Sequence, residues 1–98
     1  MVGKMNGLSR DLIIHPGETL NDILLDRNIQ KKGLAISTGM SEKHISEVMQ
    51  GNRGISASLA KKLEYALAIN SSFWINLQAN YDNELALYNE QHNIRGVS

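Results

Sequence analysis

The stretch that decides the fold is QKKGLAISTGMSEKHISEVMQGNR, residues 30–53. Leu34 and Ala35 give a short helix over about 31–38 an apolar inner face. Gly39 stops it, because glycine enters the left-handed region without a steric penalty. Two residues on, Ser41 carries the kind of side-chain oxygen that caps a helix N-terminus. Ile45, Val48 and Met49 then recur at three- and four-residue spacing, which predicts a second helix over about 42–50 with that side buried. Gly51 stops it in turn. Two short helices joined by a tight glycine turn, the second opening on polar residues, is the sequence form of a helix-turn-helix. The second helix of such a pair fits the DNA major groove. Gly33 is anomalous inside the first helix. It costs about 1 kcal/mol against alanine unless a backbone or a nucleic acid needs the space.

The flanks extend the helical pattern in both directions. His15-Pro16-Gly17-Glu18 predicts the start of an earlier helix, since proline tolerates the first turn and Glu18 suits the positive end of the dipole. Leu20, Ile23 and Leu24 form its stripe, and Asn28 is a left-handed stop. Ser56 caps a helix carrying Leu59, Ala60, Leu63, Ala66 and Leu67, which Asn70 is expected to end. Ser71 or Ser72 is expected to cap a long last helix that shows Phe73, Trp74, Leu77, Tyr81, Leu85 and Tyr88 and runs to about Gln91. There is no strand-like alternation and no repeat. The expectation is an all-α chain of one domain: an N-terminal arm over 1–14, in which Leu12, Ile13 and Ile14 form a short apolar anchor, a helical domain over 15–92, and a tail over 93–98.

The 98 residues carry no net charge, yet the charge is unevenly placed. Between Arg27 and Lys62 lie Arg27, Lys31, Lys32, Lys43, Arg53, Lys61 and Lys62 against Glu42 and Glu47, a net +5. Residues 1–26 carry −2 and residues 63–98 carry −3. A basic centre between acidic flanks suits one face for phosphates and other faces for something else. With no cysteine, disulfide and thiol chemistry are excluded. No apolar run approaches the ~20 residues of a membrane span, and no signal-peptide core is evident, so a cytoplasmic chain is expected. His15, His44 and His92 are scattered, and there is no zinc-protease motif and no glycine-rich phosphate loop. Neither catalysis nor a metal, a cofactor or a small-molecule substrate is expected.

Helical periodicity turns Glu42, Lys43, Ser46 and Glu47 outward on the second helix of the pair, with His44 at the border. These five are the candidate base-reading residues: lysine donates to guanine, and glutamate accepts from cytosine. Lys31, Lys32 and Arg53 are the candidate phosphate ligands. Glu42 and Glu47 oppose this reading, because carboxylates repel a phosphate backbone unless each finds a donor. The same pattern also fits a helix pair in an ordinary bundle with solvated charges. Phe73, Trp74 and Leu77 are expected in the core, where the Trp74 indole N–H needs a partner. Tyr81, Leu85 and Tyr88 continue the stripe beyond what the short helices can cover. They predict a dimer or partner surface, the alternative being a helix that folds back over its own domain.

Leu34-Ala35, Gly39-Met40-Ser41, Ile45, Val48 and Gly51 together resemble the helix-turn-helix of phage-repressor-like (XRE-type) regulators. The His15-Pro16-Gly17-Glu18 stretch and Ser72-Phe73-Trp74-Ile75-Asn76-Leu77-Gln78-Ala79-Asn80-Tyr81-Asp82 narrow this to a resemblance to HigA-type antitoxins, over about residues 13–88. The resemblance implies a five-helix domain with a long C-terminal helix that dimerises on palindromic double-stranded operator DNA. It also implies a RelE-like toxin partner that cleaves mRNA, and repression of the shared operon. Where such repressors often hold a phosphate-binding glutamine, this chain has Lys31. A stand-alone regulator without a toxin, and a protein-interaction module that has lost DNA, are the other readings of the same residues.

Overall fold

The computed structural model describes residues 10–97. A single 3₁₀ turn, Arg10–Leu12, leads into α1 (Pro16–Arg27), α2 (Lys31–Thr38), α3 (Glu42–Met49), α4 (Ala57–Leu67) and α5 (Ser71–Val97), with no strand among the described residues. None of these helices is long and apolar enough to cross a membrane. Residues 1–9 of the expected arm lie outside the described part. Of its apolar anchor, Ile13 inserts into the domain, while Leu12 and Ile14 remain 68% and 56% exposed.

Most of the helix boundaries are marked by a local hydrogen bond. The His15 Nδ1 accepts from the Gly17 N–H at 2.9 Å, so a histidine, rather than proline alone, starts α1. Asn28, at φ 60°, ends α1 in the left-handed region, and its N–H donates to the Leu24 and Leu25 carbonyls. Gly39 ends α2 at φ 73°. Thr38 is buried there, and its Oγ1 donates to the Leu34 carbonyl at 2.8 Å and accepts from the Met40 N–H at 3.3 Å. The turn between α2 and α3 is thereby tied to the helix before it. Ser41 caps α3, accepting from the His44 N–H at 3.0 Å, and Ser56 caps α4, accepting from the Leu59 N–H at 3.1 Å.

Three expectations about helix ends need correction. Asn70 does not end α4; Ala68 does, at φ 60°, with the Arg27 Nη1 donating to the neighbouring Leu67 carbonyl at 2.6 Å. Asn70 caps α5 instead, its Oδ1 accepting from the Ser72 N–H at 2.8 Å, so neither serine is the cap. Finally, α5 passes the expected end near Gln91 and is helical to Val97.

The core is a single cluster that includes Leu20, Leu24, Leu34, Ile45, Val48, Leu59, Leu63 and Trp74. Trp74 has no exposed surface, and its indole N–H is buried without a hydrogen-bond partner among the described residues. Phe73 is not core. It is 40% exposed and stands edge-on to the Trp74 ring at 5.0 Å. Leu77 is half-buried at the edge of the cluster.

The position of α3 is set from behind by α1. A Cβ built on Gly17 would lie 1.9 Å from the Val48 carbonyl oxygen and 2.8 Å from its carbon. The first turn of α1 therefore rests directly on the backbone of the last turn of α3. The His15 ring lies beside Gly51, the left-handed stop after α3, and meets Tyr81 of α5 edge-on at 4.7 Å. One corner thus joins α1, the end of α3 and α5. Burial pushes the His15 pKa below its ordinary value of 6.5, while the charges of Glu18 and Asp82 oppose that shift and Arg10 adds to it.

Gly17→Ala forces α1 off α3 and is expected to destabilise the fold by about 3 kcal/mol in chemical denaturation. Ala68→Gly, which relieves a left-handed alanine, is expected to stabilise it by about 1 kcal/mol. Protonated His15 can no longer accept the Gly17 N–H. Because its folded pKa is depressed, its contribution is present above the unfolded value of about 6.5 and is lost as pH falls through the folded one. Denaturation curves from pH 8 down to about pH 5 should therefore show falling stability. In His15→Asn, which keeps a cap but cannot titrate there, that slope should flatten.

Candidate nucleic-acid interface

α3 buries Ile45 and Val48 completely, which fixes which of its sides faces out. Glu42 and Lys43 are exposed on that outer side, and His44, Ser46 and Glu47 are half-buried along it. Of the five candidate base-reading residues, Glu42 and Lys43 are the most accessible, at the N-terminal turn of α3. Ser41 holds that turn closed through its cap.

Arg53 was expected as a phosphate ligand, and the structure joins it to one of the candidate base-reading residues, Glu47. Gly51 turns the chain back at φ 82°, and the Asn52 N–H donates to the Glu47 carbonyl at 2.9 Å. Arg53 then reaches the Glu47 side chain, with its Nε and Nη2 donating to the same Oε1 at 3.0 and 2.8 Å. The hydrogen bond from Arg53 holds the Glu47 carboxyl below the usual carboxylate range. The nearby charges of Arg53, Lys43 and His44 add to this, and partial desolvation works against it. The Glu47 carboxylate thus has a donor within the protein.

The loop that carries Arg53 is also pinned from the far side of the molecule. The Gln78 Oε1 on α5 accepts from the Ile55 N–H at 2.7 Å, and its Nε2 donates to Asp82 at 2.9 Å. A Cβ on Gly54 would fall 3.0 Å from that same Oε1. Periodicity could not single out Gln78, because its partner is 23 residues away in the chain.

Lys31 and Lys32 open α2, whose N-cap Gln30 makes no side-chain capping bond. With Glu42, Met49 and Asn28 they line part of an open cleft of about 540 Å³ between the ends of α1 and α2 and the outer side of α3. Lys31, Lys32 and Lys43 are exposed and form no ion pair among the described residues. Not every basic residue of the central segment is so placed. Arg27 is committed to the Leu67 carbonyl, and Lys61 pairs with Glu64 at 3.3 Å. Among the described residues, nothing beyond the helix's own backbone lies within 4 Å of the position a Gly33 Cβ would take, so no tertiary contact there accounts for the glycine.

Tyr81, Leu85 and Tyr88 are each half-buried. Tyr81 is engaged within the molecule through His15, which is the folding-back alternative. Further along α5, the Tyr88 ring lies 4.1 Å from that of His92, and Leu87 is 52% exposed. No group of three or more His, Asp or Glu among the described residues is placed to hold a metal ion.

No protein-family model matches the chain. It is 32% identical over 79 residues to virulence-associated protein I of Dichelobacter nodosus, across 80% of this chain and 73% of that protein. A protein of Nostoc punctiforme, assigned as an antidote of a plasmid maintenance system, superimposes with a TM-score of 0.80 at 37% identity, over 86% of this chain and 92% of its own. The Pseudomonas aeruginosa antitoxin HigA, solved with the higBA promoter, superimposes with a TM-score of 0.75 at 31% identity, over 88% of this chain and 91% of its own.

Proposed function

This chain belongs to the HigA-type antitoxin family, and from that premise we propose that it is an operator-binding antitoxin and autorepressor acting in the cytoplasm. The observation that carries the proposal is the cationic array around α3. Lys31, Lys32 and Lys43 are exposed and unpaired among the described residues, and Arg53 is held by Glu47 of α3. Two protomers would present α3 to successive major grooves about 34 Å apart. Lys31, Lys32 and Arg53 would hold the phosphates. Lys43, Glu42 and neighbouring positions of α3 would meet the base edges. That the HigA relative was solved with promoter DNA supports the same reading.

The second half of α5 serves the other tasks in this proposal. Leu85 and Tyr88, with the exposed Leu87 beside them, supply apolar surface for a homodimer seam. Asp82, Glu84 and Glu90 give that helix an acidic character suited to a basic ribonuclease. The toxin neutralised would be RelE-like and mRNA-cleaving.

A gel-shift with the chain's own upstream DNA beside a scrambled duplex, near 100 mM salt, tests the reading, and preferential, salt-sensitive binding to the upstream DNA is expected. Lys43→Ala should relax sequence preference. Arg53→Ala should weaken all sequences alike and reduce the salt slope by about 1. Equal losses for both variants on every sequence would overturn this division of labour. Absence of binding to a neighbouring toxin at low salt would remove the antitoxin role and leave the repressor.

A further inference from the structure

We propose that Glu47 is a positioning residue: it holds Arg53 side-on, so that the far edge of the guanidinium meets a DNA phosphate, and it reads no base. This rests on the operator-binding reading above and assigns a different role to one residue of the same site.

The geometry of the pair carries the inference. A guanidinium has five N–H donors in a planar fork with two usable edges. Glu47 takes the edge formed by Nε and Nη2, and both donors converge on its single oxygen Oε1. The edge formed by Nη1 and the second Nη2 hydrogen is left over, and its two parallel N–H groups can still grip phosphate oxygens in a bidentate manner. The Arg53 side chain keeps 51% of its surface exposed, whereas that of Glu47 keeps 29%. The arginine is therefore the outer member of the pair, and the carboxylate lies behind it.

Both ends of Arg53 are fixed. Its loop is anchored by the bond between Gln78 and the Ile55 N–H, and by the return of Asn52 onto the Glu47 carbonyl. Its head is anchored by the Glu47 carboxylate. A free arginine gives up rotamer entropy on binding, and one already held in place gives up less. Arg53 leaves the Glu47 Oε2 unbonded, but as the inner member of the pair the carboxylate is less accessible to a cytosine amino group, which is the other task open to a glutamate on this helix.

Three roles for Glu47 predict different signs. If it is simply a negative charge near DNA, removing it strengthens binding to every sequence. If it reads a base, Glu47→Gln weakens the operator and spares a scrambled duplex. If it positions a phosphate ligand, removing it weakens both duplexes alike, although the protein has lost a negative charge.

The experiment is fluorescence anisotropy on the full chain with the upstream duplex and a scrambled duplex. It compares wild type, Glu47→Ala, Glu47→Gln, Arg53→Ala and the double variant Glu47→Ala/Arg53→Ala. Glu47→Ala is expected to weaken both duplexes by about tenfold, the scale of a charge-assisted hydrogen bond. Glu47→Gln, which keeps an acceptor oxygen, should recover part of that loss. In the Arg53→Ala background, Glu47→Ala should bring no further loss. Thermal melts by circular dichroism should be little changed, because an ion pair open to solvent on one side adds little to stability. Tighter binding of Glu47→Ala, loss confined to the upstream duplex, or an undiminished loss in the Arg53→Ala background would each overturn the proposal. A wild-type chain that binds neither duplex at low salt would overturn the operator reading itself, before any variant is compared.

Discussion

The contact on which the rest of the structure depends is backbone against backbone. The Gly17 backbone lies so close to the Val48 carbonyl that a Cβ would overlap it at 1.9 Å. α3 cannot be carried by α2 alone, because eight-residue helices joined by a tight turn bury too little to fix an angle. The angle is fixed from behind, where α1 meets the last turn of α3. The same corner holds the His15 cap, the Gly51 stop and the Tyr81 ring. The direction in which Lys43 and Glu42 point is therefore decided by residues that need never approach a ligand.

How much of this was legible in the sequence follows from range. The glycine stop at Gly39, the caps at Ser41 and Ser56 and the left-handed Asn28 are decided within about four residues, and each is present in the structure. Asn70 was misread because asparagine suits both a left-handed stop and an N-cap. What decides between them is tertiary: the Arg27 bond to the Leu67 carbonyl lies at the turn where Ala68 takes the strained conformation. Phe73 and Trp74 are adjacent, so a helix of 3.6 residues per turn cannot aim both at the same core. Hydrophobicity gave no ground for choosing, and the structure buries Trp74.

The candidate site divides in the same way. Facing direction on α3 follows from the positions of Ile45 and Val48, which leave Glu42 and Lys43 exposed and His44, Ser46 and Glu47 half-buried. The pairing of Glu47 with Arg53 escapes helical periodicity, since the two lie on either side of a glycine turn and share no helix. Gln78 is further out of reach, because its role is to hold a loop from another helix. Formal charge was misleading for a related reason. Arg27 and Lys61 contribute to the basic sum of the central segment but are used inside the fold.

A chain with zero net charge is an unpromising ligand for a polyanion if the sum is taken over the whole molecule. Screening changes the relevant range. At physiological ionic strength the Debye length is about 8 Å, so acids much farther than that from a phosphate hardly act on it. The long dimension of the molecule is 48 Å. What a duplex laid against α3 would feel is the local set of Lys31, Lys32, Lys43 and Arg53 with Glu42 and Glu47. Of the two carboxylates, Glu47 is already matched by Arg53, which leaves Glu42 facing the lysines across the shared cleft. The acidity of α5 then works as a separate property on a separate part of the chain. One small domain can in this way carry surfaces of opposite sign, provided that a few internal contacts hold them in fixed relation, and the corner at His15 and Gly17 supplies those contacts.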